Sequence, residues 1–184
     1  MKKLLLILMA MFYASAFGVE YNWEPHGKIF LDIPISWNIH AVSAGDIGYN
    51  FDLRPKNNSN ANCKITIAYI KQKPIKGVDD LKERLLAICS EFVSGSVEGK
   101  TELKPLEMKK GIGVYVQLTD KSLAGKPTPD GEHKVMRNAL VGPIPNVMAV
   151  ISVFFDDPSQ KEVNEMMSIV QSLRFDETVA DQKK

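Results

Sequence analysis

The sequence predicts an α+β fold with antiparallel β-strands and two helices. Segments in which apolar and polar residues alternate, typical of strands, form a group of four before the first amphipathic segment and a second group after it. The turns within the first group are short, and short turns allow antiparallel pairing but not parallel pairing. Two further segments repeat apolar residues at three- and four-residue steps, which indicates amphipathic helices.

The N-terminus has the three parts of a secretory signal peptide. Two lysines follow Met1, residues 4–12 form an uninterrupted apolar run, and Ala14-Ser15-Ala16 supplies the small residues that signal peptidase accepts. A membrane-spanning helix needs about 20 apolar residues, more than this run supplies; a buried N-terminal helix is the remaining alternative. The prediction is a signal peptide over residues 1–16, no stable membrane span after its cleavage, and a periplasmic or secreted protein.

The rest of the chain is predicted to form one domain. Residues 17–26 are expected to be an N-terminal lead-in, residues 27–175 the α+β domain, and residues 176–184 a disordered tail, because periodicity ends after Phe175. Loss of Lys2 and Lys3 with the signal peptide takes the net charge from +1 to −1. A nearly neutral domain lacks the basic surface of a nucleic-acid-binding protein, so no nucleic-acid partner is expected.

Strands are expected at residues 28–33, 36–42, 49–53 and 64–70, and again at 102–108, 112–119, 135–141 and 147–155. The last of these is apolar on both faces, which predicts a central strand buried on both sides.

Each group of strands is followed by a predicted helix. The first begins near Val78, with its apolar stripe through Leu81, Leu85 and Cys89, and ends at Ser94-Gly95. The second is expected to start with Asp157 as N-cap, Pro158 at the first helical position and Gln160 completing a capping box.

Cys63 and Cys89 remain after signal cleavage. In an oxidising compartment an even number of cysteines suggests a disulfide, although two buried thiols are the alternative. A Cys63–Cys89 bridge is therefore expected; it would close a loop of about 25 residues and contribute about 3 kcal/mol. Neither cysteine has the CxxC spacing or the neighbouring His of a zinc site, so no metal and no cofactor is expected.

The two ends of this region carry motifs that resemble the PsbP-like fold family. Residues 30–37 spell Phe-Leu-Asp-Ile-Pro-x-x-Trp, residues 169–175 spell Ile-Val-Gln-Ser-Leu-Arg-Phe, and the order of strands and helices between them is similar to that family. The family includes the extrinsic PsbP subunit, a Ran-binding import factor and exported bacterial proteins of unknown role. The resemblance covers residues 27–175 and implies an antiparallel sheet between helical layers and action by protein binding rather than catalysis.

No catalytic motif stands out. The nucleophile-elbow pattern G-x-S-x-G is absent from the sequence. His26 and His40 have no metal-ligand spacing, and Glu132-His133 are adjacent residues, which point in opposite directions when they lie on a strand.

The candidate binding site is the segment 121–134 between two predicted strands. It is the longest irregular stretch inside the domain, and irregular stretches of this length are usually functional or disordered. Its candidate binding residues are Lys126, Asp130, Glu132 and His133.

Two other features are interpreted as structural. Trp37 is expected to be a core aromatic rather than a ligand-stacking residue. Asn50, Asp52 and Arg54 lie on one side of their strand and are expected to form a solvated sheet face.

The predicted function is a non-enzymatic accessory domain that binds an unidentified protein partner. The first alternative is a small hydrolase whose site is assembled from His133, Asp130 and Arg137, because an assembled site leaves no sequence motif. The second is a carrier of a small apolar ligand. A pocket with several titratable groups of perturbed pKa favours the enzyme, whereas an exposed apolar or loop patch favours the binding domain.

Overall fold

The computed structural model describes residues 16–57 and 59–177. The predicted signal peptide up to residue 15 and the tail from residue 178 lie outside the described residues. The strands of the described part are β1 (Ala16–Trp23), β2 (Gly27–Pro34), β3 (Trp37–Ser43), β4 (Gly48–Pro55), β5 (Asn62–Tyr69), β6 (Lys104–Pro105), β7 (Ile112–Thr119), β8 (Val135–Ile144), β9 (Val147–Phe155) and β10 (Arg174–Glu177). The helices are α1 (Val78–Cys89), a 3-10 turn (Ser90–Phe92) that continues it, and α2 (Lys161–Gln171). No helix within the described ranges is long and apolar enough to cross a bilayer.

The strands form two antiparallel sheets rather than one. The small sheet has the order β1-β2-β10, and the large sheet has the order β3-β4-β5-β9-β8-β7-β6. The prediction of an α+β protein with antiparallel strands and two helices is confirmed at this level. Strand β9 lies between β5 and β8, in the centre of the large sheet, as its two apolar faces predicted.

The small sheet contains residues on both sides of the predicted domain 27–175. The expected lead-in contains most of β1, which pairs with β2 from Ala16↔Pro34 to Trp23↔Gly27. The first residues of the expected tail, Asp176 and Glu177, belong to β10. Strand β1 alternates like any half-buried strand, but residues 17–26 were predicted to be a lead-in directly after the predicted signal peptide.

The two motifs from opposite ends of the chain meet in the small sheet. The guanidinium of Arg174 donates to both carboxylate oxygens of Asp32 at 3.1 Å, and Lys109 Nζ donates to the same carboxylate at 2.7 Å. The hydrogen bonds from Arg174 are the main reason that the pKa of Asp32 lies below its ordinary value. Ser172 Oγ accepts a hydrogen bond from the Asp32 backbone N–H at 2.8 Å.

Two apolar core clusters lie on opposite faces of the large sheet. The odd-numbered residues of β9, from Val147 to Phe155, belong to the first core cluster, whereas Met148 and Val150 pack against the second. The first core cluster also contains the inward residues of the small sheet and of α2, such as Ile29 and Val163. The second core cluster joins α1 to β7 and β8 through Leu81, Leu85, Cys89, Val114, Val116, Leu118 and Leu140.

The predicted Cys63–Cys89 disulfide is wrong. Both cysteines are free and buried. Cys63 belongs to the first core cluster and Cys89 to the second, so the large sheet lies between the two thiols. Burial raises the pKa of both thiols, and the Cys89 sulfur accepts a weak hydrogen bond from Asn138 Nδ2 at 3.7 Å.

Two predicted element boundaries also differ. Helix α2 begins at Lys161, with Gln160 in the N-cap position. Asp157 instead closes a separate turn, because its Oδ1 accepts hydrogen bonds from the backbone and the hydroxyl of Ser159 at 2.8 Å. The strand expected over residues 102–108 is reduced to Lys104–Pro105, which pairs with β7 at the edge of the sheet.

Candidate functional site

Residues 121–134, called the β7–β8 loop below, contain tight turns at residues 121–125 and 130–131. At its base the backbone N–H of Asp120 donates to Lys134 O at 2.8 Å. Asp120 Oδ1 accepts hydrogen bonds from Ser122 N–H and Oγ at 2.7 Å, which lower the pKa of Asp120. Leu123 is 8% exposed and so holds the first turn against the domain.

The structure does not bring the four predicted site residues together. Among the described residues, no hydrogen bond or ion pair joins any two of their side chains. Lys126 Nζ donates to Ser122 O at 2.8 Å, and the side chains of Asp130 and Glu132 are exposed. His133 alone is partly buried and faces other elements of the fold.

His133 lies against β5 and β9. Its ring centroid is 5.5 Å from that of Phe154, and its Nε2 is 3.2 Å from Asn62 Nδ2. Burial lowers the pKa of His133, and the nearby carboxylate of Asp156 offsets this only in part. The imidazole is therefore mainly neutral at pH 7.

Asn60 and Asp156 fix the C-terminal end of the loop. Asn60 Nδ2 donates to Glu132 O and to Asp156 Oδ2, both at 2.8 Å, and Asp156 Oδ1 accepts from the Lys134 N–H at 3.1 Å. Burial raises the pKa of Asp156, but these hydrogen bonds outweigh it and the pKa lies below the ordinary value. The loop is thus tied to the turn before β5 and to the end of β9.

A cavity of about 390 Å³, called the apolar cavity, opens between the loop and the end of α1. Its volume is that of a small-molecule or side-chain pocket. Phe92, which lines the cavity and is 42% exposed, stands at its mouth. The side chains that line it include Glu91, Phe92, Leu118, His133, Met136 and Phe154.

The residues named for a hydrolase are not assembled. The Arg137 guanidinium lies 5.2 Å from the ring centroid of Tyr115 and 5.5 Å from that of Phe155, and it donates to Gln117 Oε1 at 2.7 Å. His133 contacts Phe154, and neighbouring residues of a strand point to opposite faces of the sheet. Arg137 and His133 are therefore separated by the large sheet.

The structural interpretation of Trp37 is confirmed. Its side chain is 2% exposed, and its indole N–H donates to Glu165 Oε2 at 2.7 Å. The polar strand face is also as expected: Asn50 and Arg54 are exposed, and Arg54 pairs with Asp52 on the same strand.

Sequence reasoning missed Phe92, Asn60, Asn62, Phe154 and Asp156. Phe92 lies in the predicted first helix and Phe154 in the predicted strand 147–155, and both asparagines lie between the strands predicted at 49–53 and 64–70. Within residues 16–57 and 59–177 there is no group of three His, Cys, Asp or Glu side chains that could hold a metal ion.

Comparison with known proteins gives the fold. No model of a protein family and no curated protein sequence matches the chain. Among solved structures, the solution structure of cyanobacterial PsbP (CyanoP) from Synechocystis sp. PCC 6803 matches with a TM-score of 0.55 at 9% sequence identity. The match covers 91% of this chain and 96% of that one. The chain therefore has a PsbP-like fold, as its two terminal motifs predicted.

Proposed function

We propose that this chain is an accessory domain that binds a protein partner outside the cytoplasm, and that the β7–β8 loop and the apolar cavity form the contact. The observation that carries the proposal is the apolar cavity, whose walls include three apolar side chains from β7, β8 and β9. Exposed apolar surface with a polar rim is typical of protein–protein contact sites.

The hydrogen bonds of the loop support binding in a second way. The Asp120, Asn60 and Asp156 side chains hold both ends of the loop in one conformation before any partner arrives. A loop that is already ordered loses less entropy on binding, so more of the contact energy remains as affinity.

The location outside the cytoplasm and the arrangement of the helices on the large sheet are part of the same proposal. The basic start, apolar run and Ala14-Ser15-Ala16 site support export to the periplasm or the exterior. We also infer an α/β/α arrangement with α1 and α2 on opposite faces of the large sheet, because the two helices contribute to different core clusters.

The test is affinity capture from the envelope fraction with a Phe92→Ser variant. Loss of the apolar side chain at the cavity mouth is expected to lower partner recovery at least tenfold, since aromatic residues in the centre of an interface often contribute 2 kcal/mol or more. Leu86→Ser is the matched control, because Leu86 is a similarly exposed apolar residue of α1 that does not line this cavity. Equal recovery with both folded variants contradicts the proposal.

A carrier of a small apolar ligand is the second candidate, and the volume of the apolar cavity favours it. Extraction of the purified protein with organic solvent, followed by mass spectrometry, separates the two. A stoichiometric lipid-like molecule released from the wild type and absent from the Phe92→Ser variant would replace the protein-binding proposal.

A further inference from the structure

A second cavity of about 630 Å³, called the polar cavity, opens on the other side of His133 and Phe154. These two residues line both cavities, so the two form neighbouring parts of one groove. The polar cavity lies where the turn before β5 and Gly131 of the loop meet the polar face of β3, β4 and β5.

The charged side chains that line the polar cavity are cationic. They are Arg54 and Lys64, and no Asp or Glu stands among the described residues that line it. Lys64 forms no ion pair in the described part of the chain. Arg54 uses Nε and Nη2 to hold Asp52, at 3.3 Å and 3.1 Å, which leaves the Nη1 donors for another group.

The apolar cavity has the opposite charge pattern. Glu91 and Asp120 stand among its lining residues, and only Lys134 balances them. A carboxylate is therefore favoured at the Arg54 and Lys64 end of the groove and disfavoured at the Phe92 end.

We propose that the groove binds a partner segment that carries a large apolar side chain next to acidic residues. The apolar side chain fills the apolar cavity, and a carboxylate accepts hydrogen bonds from Arg54 and Lys64. This inference rests on the proposed protein-binding function and adds the chemistry of the partner.

The test is an NMR titration of the protein with three peptides. Acetyl-Trp-Gly-Glu-Glu-amide is expected to shift the amide signals of Asn62, Lys64 and Phe92, and to bind at least tenfold more tightly than acetyl-Trp-Gly-Lys-Lys-amide. Acetyl-Gly-Gly-Glu-Glu-amide, which lacks the apolar side chain, is expected to bind at least tenfold more weakly. Equal affinity for the acidic and basic peptides, or for the peptides with and without Trp, overturns the inference.

A charge reversal locates the carboxylate. Lys64→Glu is expected to weaken binding of the acidic Trp peptide about tenfold or more, whereas Lys100→Glu, at an exposed position outside the groove, leaves it unchanged. Equal effects of the two substitutions overturn the inference. The two experiments can also disagree. If capture of the native partner requires Phe92 but the protein does not prefer the acidic Trp peptide, the proposed function stands and this inference alone fails.

Discussion

Replacing Trp23 by alanine is expected to lower the free energy of unfolding by about 3–5 kcal/mol, the usual cost of removing a buried tryptophan. Trp23 is 1% exposed although it lies on an edge strand. Its ring makes edge contacts with Tyr49, Tyr69 and Phe175 at centroid distances of 6.4, 6.4 and 5.7 Å. Its indole N–H donates to Gly45 O at 3.0 Å. The side chain thus packs β1 against β4 and β5 of the large sheet and against β10.

Urea unfolding followed by far-UV circular dichroism measures this loss. For a domain of this size the dependence on urea is about 1–3 kcal/mol per molar, so the midpoint of unfolding should fall by at least about 1 M. Phe17→Ala is the matched control: it lies on the same strand but is 49% exposed, and it should change the free energy of unfolding by about 0.5 kcal/mol or less. If Trp23→Ala costs no more than Phe17→Ala, β1 is a dispensable lead-in and the domain begins at residue 27.

Three further outcomes are expected. Asp32→Asn should lower the free energy of unfolding by about 1–2 kcal/mol at pH 7. Because Arg174 lowers the pKa of Asp32 in the folded state, this stabilisation is present above the unfolded pKa of about 3.9 and is lost as the pH falls through the folded pKa. The acid-unfolding curves of wild type and variant should therefore converge at low pH. Cys63 and Cys89 should both react with a thiol reagent after denaturation without reductant, and neither should react in the folded protein. If the denatured, non-reduced protein has no reactive thiol, the two cysteines form a disulfide. N-terminal sequencing of the exported chain should show cleavage after Ala16, and an intact Met1 would contradict the signal peptide.

Periodicity in the sequence was sufficient for most of the elements. Strict alternation located β4, a nearly continuous apolar run located β9, and three- and four-residue spacing located α1, because these patterns follow directly from strand and helix geometry. The same rule applied to residues 17–23 would have revealed β1. The pattern was not tested there, because residues 17–26 were predicted to be a lead-in to the domain.

Pairings between distant residues were beyond the sequence. A count of two cysteines cannot tell that Cys63 and Cys89 face different core clusters, because this depends on which side of the large sheet α1 packs. The capping pattern around Asp157 suits a helix start, yet the side chain closes an earlier turn. In the first case the position of α1 on the sheet decides the outcome, and in the second a competing local hydrogen bond to Ser159 does.

One part of the candidate site was predictable from the sequence, and another part was not. The sequence by itself determined the segment 121–134 as a loop between strands and the PsbP-like fold, since the first depends on local composition and the second on two short motifs and the order of the elements between them. Only the tertiary structure decided that His133, and not Lys126 or Asp130, joins a groove. That groove exists because β5 pairs with β9 in the register that places Asn62 opposite Phe154, 92 residues away in the sequence. Such register is set by burial of alternate residues on the whole sheet, which no single segment of the sequence encodes.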